Sequence, residues 1–209
     1  MVANFLAWTG ILMAMVYLPM SEERPDWLRS GVKTLPLLLF SYSAWEFGGG
    51  PFLVAGLFLS ALGDMALSRD GEQTFLFGLA AFALAHLLYI LHFLGIAEAP
   101  LWEAFLRNAP MAIFLVGYAA LAEIWLIPNT RHLKWPVRVY VWLITLMGLA
   151  ALTMPMGIPF LGAAFFILSD TLLAFQLFRL DEDNPLSGRL VWAIWISYIA
   201  GQALILSTA

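Results

Sequence analysis

Cysteine is absent from this chain of 209 residues, and charged residues make up only 11% of it. Without cysteine, the chain has no disulfide framework, no thiol nucleophile and no cysteine-ligated metal. Charged residues form about a quarter of a typical soluble domain, so a chain this poor in charge is not expected to be surrounded by water. The formal net charge of −4 is small, and no basic block is interleaved with aromatic residues. We therefore do not expect a nucleic-acid partner.

Apolar residues are abundant: hydrophobic residues form 62% of the chain, and the mean hydropathy is +0.86. At roughly 20 apolar residues per crossing, this composition predicts an all-α polytopic integral membrane protein. Residues 1–209 would form one transmembrane domain of about eight helices. Breaks at proline, glycine and charge clusters place the helices at Val2–Met20, Val32–Trp45, Phe52–Leu67, Thr74–Leu94, Pro110–Ile127, Trp135–Met154, Pro159–Phe178 and Arg189–Ser207. The first run has no Lys or Arg ahead of its core, which favours a retained helix over a signal peptide.

The distribution of positive charge predicts the orientation of the chain. Nine of its ten lysine and arginine residues follow odd-numbered predicted helices, and only Arg107 lies on the other side. By the positive-inside rule, the loops after odd-numbered helices are cytoplasmic and both termini lie outside. A bacterial inner membrane is the simplest location for such a protein.

A short internal similarity links the two halves of the chain. The third predicted helix ends in Leu59-Ser60-Ala61-Leu62-Gly63-Asp64, and the seventh contains Ile167-Leu168-Ser169-Asp170. These helices lie four apart and so run in the same direction, as in a four-plus-four parallel repeat. Chance similarity in a leucine-rich chain is the alternative interpretation.

Asp64 and Asp170 are the two acidic residues set deep in apolar helices, both in the predicted cytoplasmic half of the membrane. An Asp at the centre of a membrane helix costs about 2.5–3.5 kcal/mol on insertion scales, which favours a partner or a function for each. As a facing pair in a low dielectric, they would not both ionise easily, and so would supply a proton donor and a proton acceptor. The alternative is that each makes a separate structural hydrogen bond.

Further polar residues follow helical spacing near these two aspartates. Ser60, Asp64 and Ser68 recur every four residues and should face the interior of the bundle, although packing of serine against backbone is the simpler interpretation. His86 and Tyr89 lie on one face of the fourth helix, and Tyr198 and Gln202 lie on one face of the eighth. His86 would orient a carboxylate or share its proton, or else be an ordinary buried histidine.

The histidines and one lysine bear on whether the protein binds a metal or a phosphate. Three scattered histidines lack the spacing of a zinc site, and a metal held by the two aspartates alone is a weak alternative, so we predict no metal and no cofactor. Lys33, at the start of the second predicted helix, could extend to a substrate phosphate. Its other interpretation is a topology signal that contacts lipid headgroups.

Several of these segments, in order, resemble one family. They are Pro25-Asp26-Trp27, Val32-Lys33, Ser60-Ala61-Leu62-Gly63-Asp64, the run from Phe77 to Tyr89 with Gly78, Phe82 and His86, Ser169-Asp170, and Tyr198-Ile199-Ala200-Gly201-Gln202. Together they resemble the YhhN family of membrane proteins, which includes the lysoplasmalogenases. The resemblance covers roughly residues 20–205.

The resemblance implies an eight-helix fold and hydrolysis of the vinyl-ether bond of lysoplasmalogens, either lysoplasmenylethanolamine or lysoplasmenylcholine. The products would be a fatty aldehyde and glycerophosphoethanolamine or glycerophosphocholine. This chemistry needs an acid, a counter-charge and a water, but neither a nucleophile nor a metal. Asp64 and Asp170 would be the acid/base pair, and the substrate-binding residues would be Lys33, Ser60, His86, Tyr89, Ser169, Tyr198 and Gln202. The expected partners are the lysophospholipid substrate and membrane lipids, with no obligate protein partner.

Three other functions remain open on the sequence alone. A proton-coupled transporter of a small molecule or lipid would use the two aspartates as a relay, although their helices lack the mid-depth breaks of many carriers. An intramembrane aspartyl protease would share the Gly63-Asp64 pair but lacks the expected Tyr-Asp partner. The third is a non-catalytic lipid-binding membrane protein.

Overall fold

Helices account for all the regular structure in the computed structural model, which describes residues 2–180, 184 and 186–209. Eight long helices correspond to the eight predicted ones, and one short helix, α5, was not predicted. They are α1 (Val2–Met20), α2 (Trp27–Glu46), α3 (Pro51–Leu67), α4 (Glu72–Ala97), α5 (Glu103–Arg107), α6 (Ala109–Trp125), α7 (Lys134–Ala151), α8 (Ile158–Arg179) and α9 (Ser187–Leu206). Most of the predicted loop 181–185 lies outside the described residues.

Six helical segments of the described chain are long and apolar enough to cross a membrane, and α3 is a shorter apolar helix of 17 residues. α2 carries Arg29 and Lys33 and is less apolar, but it packs between α1 and α3. Large apolar side chains such as Phe5 and Ile124 point out of the bundle, as lipid-facing residues do. The all-α membrane fold is confirmed, while eight crossings stay a prediction.

The predicted start of the second helix was wrong. α2 begins at Trp27, five residues before Val32, because the Asp26 carboxylate caps it by accepting a hydrogen bond from the Arg29 backbone N–H at 2.6 Å. The polar stretch 21–31 therefore ends in a helical turn rather than a loop. Lys33 consequently lies in the second turn of α2, one turn deeper than the sequence suggested.

The helices pack in chain order and then close on themselves. α1 packs against α2, α2 against α3 and α3 against α4, and α4 contacts α7. α6 to α9 again pack in order, with α9 also touching α1 and α2. Nine of the ten lysine and arginine residues lie toward one end of the bundle, which we call the cation-rich end. There the Arg29 guanidinium group donates hydrogen bonds to the backbone carbonyls of Met20 and Ser68. His132 Nε2 lies 3.0 Å from Glu72 Oε1.

Two glycines allow close approach where polar residues must meet. A Cβ at Gly201 of α9 would lie 2.9 Å from the Gly162 carbonyl oxygen and from the Phe166 backbone nitrogen of α8. A Cβ at Gly63 of α3 would lie 2.6 Å from the Phe82 ring of α4. Gly63 directly precedes Asp64, and Gly201 lies about one helical turn after Tyr198. The two glycines therefore set the spacing between helices around these side chains.

Candidate active site

A cavity of about 350 Å³ lies toward the cation-rich end, between α2, α3, α4 and α6–α9. This volume falls in the range of small-molecule sites, roughly 300–1,000 Å³. Its polar wall includes Lys33, Asp64, Tyr140, Ser169, Asp170 and Tyr198. Its apolar wall comes mainly from α4, α7 and α8, through Phe75, Leu79, Val137, Val141, Leu173 and Leu177. The cavity therefore has two carboxyl groups on its polar wall and apolar side chains on the other.

Asp64 is held by groups from two other helices. It lies in the last turn of α3 and is only 2% exposed. The Tyr198 hydroxyl of α9 donates a hydrogen bond to Asp64 Oδ2 at 2.7 Å, and Lys33 Nζ of α2 lies 3.9 Å from Oδ1. The carboxyl group of Asp64 thus has an amine beside one oxygen and a hydroxyl donor on the other.

Asp170 has a different environment, although it lines the same cavity. It lies on α8, is partly buried, and accepts a hydrogen bond at Oδ2 from the Tyr140 hydroxyl of α7. Beside it, Tyr118 of α6 and Thr171 share a hydrogen bond of 2.9 Å. Among the described residues, no lysine or arginine forms an ion pair with Asp170, in contrast to Asp64.

A buried polar cluster lies next to the cavity and contains three predicted binding residues. Tyr89 of α4 donates a hydrogen bond to Gln202 Oε1 of α9 at 2.8 Å, and its oxygen lies 3.3 Å from Ser60 Oγ of α3. None of these three side chains is part of the cavity lining. Because Ser60 and Gln202 lie one helical turn from Asp64 and Tyr198 respectively, the cluster fixes α3 against α9 just beyond the Asp64–Tyr198 contact.

His86 is completely buried and also lies outside the cavity lining. Its ring contacts those of Tyr140 and Phe166 nearly edge-on, with centroids 5.1 Å and 4.7 Å away. No side-chain hydrogen bond to it is found in the described part of the chain, so the structure does not bring it to a carboxylate. It contacts the site through Tyr140, the residue that holds Asp170.

The serine stripe on α3 faces the interior, as predicted. Ser60, Asp64 and Ser68 are each at most 2% exposed, and the Ser68 hydroxyl donates to Ser30 Oγ of α2 at 2.7 Å. Ser169 lines the cavity, and its hydroxyl donates to the Ile194 carbonyl of α9 at 3.1 Å. Of the predicted binding residues, only Lys33, Ser169 and Tyr198 thus lie in the cavity wall.

Sequence reasoning missed Tyr140, Tyr118 and Arg69, all of which line the cavity. The available signal for Tyr140 was a phenol inside an apolar run, without the polar residue at helical spacing that singled out Tyr198. Over the ranges 2–180 and 186–209, no group of three or more His, Asp or Glu side chains has the arrangement of a metal site. The predicted absence of a metal and of a cofactor stays a prediction.

Comparison with known proteins supports one assignment. The YhhN family model matches residues 28–209. The chain is 31% identical over 179 residues to "Uncharacterized membrane protein YhhN" of Escherichia coli O6:H1, covering 79% of this chain and 83% of that protein. It is 34% identical over 199 residues to "Lysoplasmalogenase TMEM86B" of Sus scrofa, covering 88% and 76%. It is 32% identical over 157 residues to "Lysoplasmalogenase" of Mycobacterium bovis, covering 74% and 58%.

No solved structure matches this chain. The family match nevertheless covers α2 to α9 and thus every helix that contributes to the cavity. The predicted resemblance is confirmed, and the chain belongs to the YhhN family.

Proposed function

We propose that this protein hydrolyses the vinyl-ether bond of lysoplasmalogens, with lysoplasmenylethanolamine or lysoplasmenylcholine as substrate. The observation that carries the proposal is that Asp64 and Asp170 line one cavity that also has an apolar wall. The pig and mycobacterial relatives named lysoplasmalogenase support the choice of substrate. The products would be a fatty aldehyde and glycerophosphoethanolamine or glycerophosphocholine.

The reaction begins with transfer of a proton to the β-carbon of the vinyl ether, which leaves an oxocarbenium ion. A water molecule adds to the cationic carbon and loses a proton to a base. The hemiacetal hydroxyl then gives its proton to a base while the bond to the glycerol oxygen breaks and that oxygen takes up a proton, which releases the aldehyde. One general acid and one general base account for every proton transfer, as in two-carboxylate glycosidases.

The surroundings of the two carboxyl groups support different roles for them. Asp64 lies beside Lys33 and accepts the Tyr198 hydrogen bond, so we assign it as the ionised group that stabilises the oxocarbenium ion and accepts a proton from water. Asp170 lies away from this cation and receives only the Tyr140 bond at one oxygen. Its other oxygen is then available to carry the proton, and we assign it as the general acid.

The remaining predicted residues have supporting roles in this proposal. Ser169 and Tyr198 would contact the substrate at the cavity wall, whereas Ser60, Tyr89, Gln202 and His86 would hold the helices that carry the acid and the base. The substrate would enter with its headgroup at the cytoplasmic end and its chain along the apolar wall formed by α4, α7 and α8. We also propose eight crossings, both termini outside, and a bacterial inner membrane.

Substrate selectivity tests the function. We would purify the protein in detergent and offer, at equal concentration, lysoplasmenylethanolamine, its saturated 1-alkyl analogue and a 1-acyl lysophospholipid. The proposal expects aldehyde from the vinyl ether and no product from the other two, because only an enol ether accepts a proton on carbon. Fatty acid from the acyl lipid, or no aldehyde from a monodisperse protein with either headgroup, would contradict it. Lipid movement in sealed vesicles without product would favour a transporter.

A further inference from the structure

Arg69 lines the cavity at its cation-rich end, which we call the mouth, and follows α3 and its capping residue Ser68. Its guanidinium carbon lies 4.4 Å from the centroid of the Trp27 ring at the start of α2. Stacking on an aromatic face orients the planar guanidinium group. Arg69 is therefore a positioned cation in the cavity wall rather than a freely moving surface residue.

One nitrogen of this guanidinium group is buried and lacks a hydrogen-bond acceptor among the described residues. Nη1 of Arg69 is inaccessible to solvent and has no hydrogen-bond partner among the described residues. Leaving a buried donor of a charged group unpaired destabilises the folded protein. A ligand that accepts its hydrogen bond would remove this cost, which favours an anion at the mouth.

The other cations near the mouth already have partners. The predicted phosphate ligand, Lys33, has its Nζ 3.9 Å from Asp64 Oδ1 and therefore already pairs with a member of the proposed acid/base pair. Arg29 donates to the backbone carbonyls of Met20 at 2.9 Å and Ser21 at 2.8 Å, and so links α1 to α2. Within the described part of the chain, Arg69 is the cavity-lining arginine with donors available.

The separation of Arg69 and Asp64 along the chain suits a glycerophospholipid. Asp64 lies in the last turn of α3 and Arg69 follows five residues later, just past the end of the helix, a separation of roughly 7.5 Å at the helical rise of 1.5 Å per residue. In the substrate, three carbon atoms and one oxygen separate the vinyl-ether oxygen from phosphorus. A substrate with its vinyl ether between the carboxyl groups would therefore place its phosphate near the mouth.

We propose that Arg69, oriented by Trp27, binds the phosphodiester of the substrate and makes the site selective for phosphate-containing ether lipids. This inference rests on the proposed function for the identity of the lipid. Guanidinium groups bind phosphate oxygens through paired, charge-assisted hydrogen bonds. Lys33 then serves Asp64 rather than the headgroup.

Binding of lipids that cannot be cleaved tests this role independently of turnover. The ligands are a 1-alkyl-glycerophosphoethanolamine and a 1-alkylglycerol with the same chain, titrated at fixed detergent concentration so that both partition alike. Arg69→Gln should weaken binding of the phospholipid about tenfold or more and leave the alkylglycerol unchanged. Trp27→Leu should produce a smaller loss that is again confined to the phospholipid. Arg24→Gln removes an exposed cation at the same end and should change neither ligand.

Equal losses for both ligands, or unchanged phospholipid binding in Arg69→Gln, would overturn the proposal. So would a wild-type protein that binds the two lipids equally well. Unchanged alkylglycerol binding also shows that each variant is folded. If Arg69→Gln does not fold, Trp27→Leu still tests the proposal. Failure of wild type to release aldehyde would contradict the hydrolase function, but the phosphate-dependent difference in binding would remain measurable.

Discussion

Tyr198 of α9 donates a hydrogen bond to Asp64 of α3 across the interior of the bundle, with 2.7 Å between the oxygens. The two residues are 134 positions apart in the chain, and the contact exists because α9 closes the bundle against the first half. It fixes one carboxylate oxygen of Asp64 and leaves the other beside Lys33. A second tyrosine, Tyr140, does the same for Asp170 from α7, so each carboxyl group is oriented by a phenol from another helix.

Removal of the Tyr198 hydroxyl should slow catalysis more than it weakens binding. A hydrogen bond to a charged acceptor is worth about 1.5–3 kcal/mol, so Tyr198→Phe should lower kcat by roughly ten- to a hundredfold with a small change in KM. Steady-state aldehyde release measures both constants. Tyr42→Phe, at an exposed tyrosine, is the matched control, and an equal loss in that variant would mean that the effect is not specific to the site.

Lys33 and Asp64 should be energetically coupled. Loss of one partner of a buried ion pair costs about 3–5 kcal/mol because the other charge is left uncompensated. Lys33→Met should therefore lower the midpoint of thermal unfolding in detergent. In the double variant Lys33→Met with Asp64→Asn, the midpoint should return most of the way to that of wild type. The double variant should remain inactive. Additive losses of stability in the double variant would show that the two side chains do not interact.

The α8–α9 interface should not tolerate a side chain at Gly201. Its Cβ would lie 2.9 Å from backbone atoms of α8, which cannot move as a side chain would, so Gly201→Ala should destabilise the fold by about 1–3 kcal/mol. Activity should fall as well, because separation of α8 and α9 displaces Tyr198. Gly117→Ala is the control, since a Cβ there meets nothing within 4 Å. Wild-type stability in Gly201→Ala would contradict the close packing.

The orientation of the chain can be tested directly because it contains no cysteine. Single cysteines at Ala209 and Arg24, both exposed positions, provide one label at the predicted outer side and one at the predicted inner side. A membrane-impermeant thiol reagent should label Ala209→Cys in intact spheroplasts. It should label Arg24→Cys only after permeabilisation. The reverse pattern, or labelling of both from outside, would overturn the topology.

Apolar length and charge distribution predicted the helices well because both follow from the cost of exposing polar groups to lipid. The start of α2 was misplaced because the Asp26 cap outweighs the polar composition of 21–31. α5 was missed because five residues around Glu103 and Arg107 give no periodic signal. A capping side chain and a single short turn are local features, and composition averaged over a longer window does not reveal them.

The candidate site was predicted in part for the same physical reason. Asp64 and Tyr198 stand out because polar side chains in apolar helices need partners, and the structure joins them. Tyr140 did not stand out, since the residues three and four positions from it are all apolar, whereas Tyr198 has Gln202 at that spacing. The position of His86 against aromatic rings could not be deduced, because a helix that is apolar on every side does not reveal which face meets the cavity.

The most direct test of the central claim is aldehyde release from lysoplasmenylethanolamine by purified wild type, Asp64→Asn and Asp170→Asn, each verified as folded by its thermal unfolding in detergent. Glu72→Gln is the matched control, as an exposed carboxylate at the same end of the bundle and outside the cavity. We expect wild type and Glu72→Gln to release aldehyde at similar rates, and both aspartate variants to release none above protein-free micelles. Wild-type rates in either folded aspartate variant would contradict the assignment of Asp64 and Asp170 as the acid/base pair.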